Sequence, residues 1–215
     1  MRSSALARHL IALVTTLLAV VALIVGFVSP ASAYPPDPPS PAESAQQLAG
    51  LTVAPPGSSS GYSRDRFPHW SPAEGSCNTR EMVLVRDGSG VSTGADCYPT
   101  AGSWYSVYDQ VWIEEPSDVS VDHMVPLANA WRSGASSWTE DRREDFANDL
   151  ARGQLIAVTA SSNSSKGDSD PSEWRPPNQN WWCYYARHWT DVKYDWDLTI
   201  TSAEKTALQE MLATC

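Results

Sequence analysis

The chain has 215 residues, enough for one domain with a substantial core, and carries a formal charge of −10 at neutral pH. So acidic a chain argues against a protein that grips nucleic acid through a broadly basic surface. A nuclease needs only local cations at its cleft, so weak, salt-sensitive binding stays open.

Residues 1–33 read as a secretion signal. Arg2 and Arg8 precede an apolar stretch from Leu10 to Val28, and Ala31-Ser32-Ala33 supplies a small-residue cleavage site. The stretch nearly spans a bilayer, so an uncleaved anchor is the competing reading. Cleavage after Ala33 is preferred because small-x-small follows at once. It would start the mature chain at Tyr34 and leave no stable membrane association. Losing two arginines and no acid, the chain then moves from −10 to −12. A secreted, extracellular monomer is expected. Residues 34–60, with Pro35-Pro36, Pro38-Pro39 and Pro55-Pro56, read as a disordered Pro/Ser-rich linker with a short helical piece around Ala42 to Leu51. Residues 61–215 should form the folded domain.

Four cysteines, Cys77, Cys97, Cys183 and Cys215, all lie in the exported part, which implies disulfides. Zinc is disfavoured because no Cys-x-x-Cys pair exists. Three connectivities are open, and the two sequence-local pairs point to Cys77–Cys97 and Cys183–Cys215. Within the domain, Met82 to Val85 reads as a strand followed by a turn at Asp87-Gly88. Trp104 to Tyr108, Val111 to Ile113, Val119 to Asp122 and Gln154 to Thr159 are further strand candidates. Leu127 to Trp131 suits a short helix after Pro126, and Thr139 caps another from Asp141 to Leu150. Trp182, Tyr185, Trp189 and Val192 have helical spacing, and Thr201 with Glu204 forms a capping box for a last helix. The pattern is α+β.

The most informative stretch is Val119-Ser120-Val121-Asp122-His123-Met124-Val125-Pro126-Leu127, answered by Asn163-Ser164-Ser165-Lys166. A carboxylate and an amide oxygen are hard ligands suited to Mg²⁺, and a neutral imidazole beside them can take a proton from water. Asp122 and His123 point to opposite faces of an extended strand, so they share a site only if the chain bends or ends there. Pro126 permits that.

Asp-His-x-Val-Pro-Leu followed by Asn-x-x-Lys resembles the HNH nucleases. Arg64-x-x-Phe67-x-His69-Trp70, Cys77-Asn78-Thr79-Arg80-Glu81, Ala130-Trp131-Arg132-Ser133-Gly134-Ala135, Phe146-Ala147-Asn148-Asp149 and Ser165-Lys166-Gly167-Asp168 extend the likeness in order. Together they are similar to a secreted bacterial HNH branch related to the C-terminal nuclease domain of GmrSD-type restriction enzymes. The resemblance implies a ββα-metal core with added helices and short strands, and a metal-dependent endonuclease acting on DNA, or on RNA, with little sequence specificity. It implies His123 as general base, Asp122 and Asn163 as metal ligands, and Asn148 as the residue that positions the histidine. Lys166, Arg80 and Arg142 are expected phosphate contacts. The unperturbed imidazole midpoint, about 6.5, sets the expected acid limb of activity. His69 and His188 read as packed, structural histidines. Two other functions compete. A non-catalytic secreted Trp-rich module would use the ten tryptophans as a binding surface. A glycosidase would need paired carboxylates, and adjacent Glu114-Glu115 face opposite ways on a strand.

Overall fold

The computed structural model describes residues 35–215; the signal peptide expected over 1–33 lies outside them. The segment expected as a disordered linker is folded. Helix α1 (Pro41–Gly50) starts at Ser40, whose side chain and Glu43 form a capping box, with Pro41 at the first helical position. It buries Ser44 and Leu48, and Gln47 Nε2 donates to Asp191 Oδ1 at 2.9 Å. Arg187 donates to the carbonyls of Pro38 and Pro39 at 2.9 and 2.7 Å. Val53 bridges Ile200, and Gly57 N donates to Arg132 O at 2.7 Å. Proline content suggested disorder, but two of those prolines offer carbonyls that a side chain can hold, and another starts a helix.

The apolar run Met82 to Val85 is helical rather than extended. Helix α2 (Thr79–Asp87) is opened by a capping box between Asn78 and Glu81 and buries Val83 and Leu84. Four apolar residues fit either period, and the cap decides between them. Strands β1 (Gly88–Thr93), β2 (Pro99–Ser106) and β3 (Val111–Ile113) form an antiparallel meander. The Cys77–Cys97 disulfide ties the entry of α2 to the β1–β2 turn, with Cα atoms 5.0 Å apart.

Strand β4 (Val119–His123) pairs antiparallel with β5 (Leu155–Thr159), opposing Asp122 to Ile156 and His123 to Leu155. Helices α3 (Leu127–Arg132) and α4 (Glu140–Ala147) fill the connection, and α5 (Ala160–Lys166) follows β5 directly. The ribbon separates two cores. Val119, Val121, Leu155 and Ala157 pack with Val83, Leu84 and Trp104; Ile156 and Val158 pack with Phe67, Tyr185 and Trp189. With both faces covered, β5 is buried along its whole length, which is why it reads as an unbroken apolar run. Past His123 the ladder is continued by a side chain. Gln154 accepts from Val125 N at 3.1 Å and donates to Val125 O at 3.0 Å, fixing the bend that leads to Pro126. Helices α6 (Trp182–Asp195) and α7 (Ser202–Leu212) close the fold, joined by Cys183–Cys215 as the sequence pairs suggested.

Candidate active site

Asp122 and His123 are successive residues on β4 and do face opposite ways. The Asp122 carboxylate is buried and accepts three hydrogen bonds: Lys166 Nζ to Oδ1 at 2.9 Å and to Oδ2 at 2.7 Å, and Tyr108 Oη to Oδ2 at 2.7 Å. Lys166 Nζ also donates to His123 O at 2.8 Å. Burial pushes the Lys166 ammonium below its ordinary pKa against the pull of Asp122, while burial and the adjacent Asp122 charge hold the Tyr108 hydroxyl well above its own. The expected phosphate contact from Lys166 does not fit this placement. Its side chain is fully buried and its three protons are committed inside the protein.

His123 lies on the other face. Its Nε2 is 2.9 Å from the carbonyl oxygen of Ala147, the last residue of α4, where carbonyls have no partner within the helix. A carbonyl only accepts, so Nε2 carries the hydrogen and Nδ1 keeps its lone pair. Burial pushes the imidazole pKa down to about 3 against the pull of the Ala147 hydrogen bond, with the Arg64 and Lys166 charges adding to the fall. The ring is therefore neutral near pH 7.

Among the described residues Asn148 makes no hydrogen bond to His123. Its Oδ1 accepts from Ser71 N at 3.0 Å, and its Nδ2 donates to Pro68 O at 2.9 Å and Glu144 O at 2.8 Å. It staples the segment that carries His69 and Trp70 onto the end of α4. Those rings lie 6.4 and 5.5 Å from His123. His69 contacts Phe67 O through Nδ1 at 2.9 Å, which leaves Nε2 to accept from Arg64 Nε at 3.2 Å.

Asn163 sits on α5, whose first turn is capped by Thr159; Asp109 in turn accepts from Thr159 and Ser162. Its Nδ2 donates to Ser120 Oγ at 2.7 Å, leaving Oδ1 uncommitted among the described residues. A hollow of about 280 Å³ is lined by Tyr62, Arg64, Asp122, His123 and Asn163. A second, of about 510 Å³, shares Arg64 and Asn163 and adds Trp70, Arg80 and Ser120. Arg80, an expected phosphate contact, lines the second hollow and donates to Val119 O at 2.9 Å. Arg142 does not. It lies over the Trp138 ring at 4.8 Å and reaches Asp197. A larger hollow, about 560 Å³, lies between residues 36–47 and α6 and contains none of these groups.

The described residues hold no cluster of three or more His, Cys, Asp and Glu side chains suited to a metal. A smaller protein contribution does fit. A carboxylate offers roughly four acceptor positions and Asp122 uses three, while Asn163, whose Oδ1 accepts no bond among the described residues, lines the same hollow. Two protein oxygens beside open volume suit a hard cation that keeps most of its waters, as Mg²⁺ does. Arg64, Tyr108, Gln154 and Trp70 complete the site and stand outside the set expected from the sequence. Arg64 and Trp70 lie in the motif segment before the cysteines, but nothing in their spacing ties them to β4.

Comparison with known proteins follows these elements. The family described as GmrSD restriction endonucleases, C-terminal domain, matches residues 92–211, more than half of the chain and all of β4, β5 and α5. A protein of Arthroderma benhamiae, described as an uncharacterized secreted protein, is 52% identical over 201 residues, covering 93% of this chain and 98% of that one. That relative is fungal, whereas the motifs pointed to a bacterial branch. Secretion, expected from the leader, agrees with it. No solved structure matches.

Proposed function

The chain belongs to the family of the GmrSD restriction endonuclease C-terminal domain, and on that premise we propose that it is a secreted, metal-dependent endonuclease that hydrolyses DNA phosphodiesters with little sequence specificity. In this reading β4, β5 and α5 are the ββα-metal core. One observation carries it. His123 is held through Nε2 by a helix-end carbonyl, so a neutral Nδ1 remains as the base on a residue that lines the same hollow as Asp122 and Asn163.

His123 Nδ1 takes a proton from water as the water oxygen bonds to phosphorus. The bond from phosphorus to the leaving sugar oxygen breaks, and that oxygen takes a proton from solvent. Asp122 and Asn163 would hold the divalent cation, most consistently Mg²⁺, which supplies charge neutralisation at the phosphate and the leaving oxygen. Lys166 and Tyr108 fix the Asp122 carboxylate, and Lys166 also anchors the His123 carbonyl, so one buried amine orients both halves of the site. Arg64 and Arg80 face the substrate as phosphate contacts. Plasmid nicking by the purified secreted protein tests the reading. Cleavage should require added Mg²⁺ and stop with EDTA; nicking that persists in EDTA, or no cleavage of plasmid or single-stranded DNA with any divalent cation, overturns it.

A further inference from the structure

We infer that the groove along the unpaired edge of β4 receives a single strand of nucleic acid, with unpaired bases against Tyr62 and Trp70 and phosphates against Arg64 and Arg80. The inference rests on the nuclease reading and names the form of its substrate. Among the described residues β4 pairs on one edge only, with β5. The two hollows beside it share Arg64, and each has one aromatic wall, Tyr62 in the first and Trp70 in the second. Cations interleaved with aromatic rings match what an unpaired strand requires, because each base offers a face for stacking while the backbone follows positive charge.

Trp70 carries the argument furthest. It holds φ +61°, a left-handed conformation that is uncommon for a bulky residue. The segment around it is over-determined. Asn148 grips Pro68 and Ser71, Ser71 Oγ donates to Glu144 at 2.5 Å, and Pro72 bridges Asn78. These bonds hold the half-buried indole at the groove, tilted 32° to the His123 ring.

Charge favours one strand over two. Five arginines, Arg86, Arg132, Arg142, Arg152 and Arg175, pair with carboxylates, whereas Arg64 and Arg80 have no carboxylate within 4.0 Å among the described residues. Arg66, Arg143, Arg187 and Lys205 are likewise without a carboxylate partner, but only Arg64 and Arg80 line the two hollows. Two cations there suit a few phosphates of one strand, whereas a rigid duplex needs a broader basic face.

Cleavage of one oligonucleotide sequence, single-stranded and as a duplex, tests the inference. The natural protein should show the higher kcat/KM on the single strand. Trp70→Leu should raise KM on it about tenfold or more, the size of a lost base stack, and Trp70→Phe should recover most of that loss. The same order should appear in dissociation constants measured by fluorescence anisotropy in a His123→Ala background, with melting temperatures confirming folded variants. Equal or better cleavage of duplex by the natural protein, or Trp70→Leu binding the single strand as the parent does, overturns the inference and leaves the nuclease reading intact. Single-strand binding weakened by Trp70→Leu in a protein that cleaves neither form would overturn the nuclease reading while supporting the groove.

Discussion

Two successive residues, Asp122 and His123, divide the chemistry of the site between the two faces of β4. His123 and Asp122 project to opposite faces of β4, one toward Trp70 and the Ala147 carbonyl, the other toward Lys166 and Tyr108. Lys166→Met should leave the Asp122 carboxylate buried without its counter-ion. Removing one partner of a buried pair costs about 3–5 kcal/mol, so the loss should appear as a lower denaturant midpoint. The histidines predict a pH dependence. His188 is buried, stacks on Trp181 and has its pKa pushed down to about 3 by burial, then by the charges of Arg187 and Arg86. An unfolded chain takes up protons on its histidines below about pH 6.5, while the folded chain resists until far lower. Stability is therefore fully present above that value and is lost as pH falls toward 3, with His123 contributing in the same direction. Denaturant titrations across this window check it; a midpoint unchanged from pH 7 to pH 4.5 would contradict the buried neutral rings.

At the scale of elements, α1 is the main correction and yields its own prediction. Deleting residues 35–60 removes Leu48, Leu51 and the Arg187 and Gln47 contacts from the faces of α6 and α7. The shortened protein should melt lower or fail to fold, and Ser40→Ala alone should cost about 1 kcal/mol through the lost cap. Equal melting of the shortened and full mature chains would restore the linker reading. The cap was legible in Ser40-Pro41 and Glu43, but proline content outweighed it. Asn78 with Glu81 was an equally readable cap beside an ambiguous apolar run. The strands β4 and β5 were readable because apolar runs ended at Pro126 and at the Asn163 segment. Their pairing was not, since α3 and α4 separate them and only tertiary structure sets the register. The Ala147 carbonyl was invisible for a related reason, because a backbone atom leaves no residue-type signal. Gly153 shows the same limit. A Cβ there would collide with the His188 imidazole, a contact no local pattern announces, so Gly153→Ala should lower the melting temperature.

Over the whole molecule, an acidic secreted chain with two disulfides gains order from covalent ties and a divided aromatic core. Cys77–Cys97 and Cys183–Cys215 join residues 20 and 32 positions apart in the chain. Reduction should lower stability by about 2–5 kcal/mol per bridge, measured by thermal unfolding with and without reductant. Tyr108 links the interior to the chemistry, since its ring packs on Trp174, Trp181 and Tyr185 while its hydroxyl donates to Asp122. The central claim is that His123 supplies the base and Asp122 with Asn163 the cation ligands. Plasmid cleavage by His123→Ala, paired with Mg²⁺ titration calorimetry on the same folded protein, tests it most directly. The account predicts a rate lower by about 10²- to 10⁴-fold with cation binding retained. Cleavage by folded His123→Ala at the natural rate would contradict it.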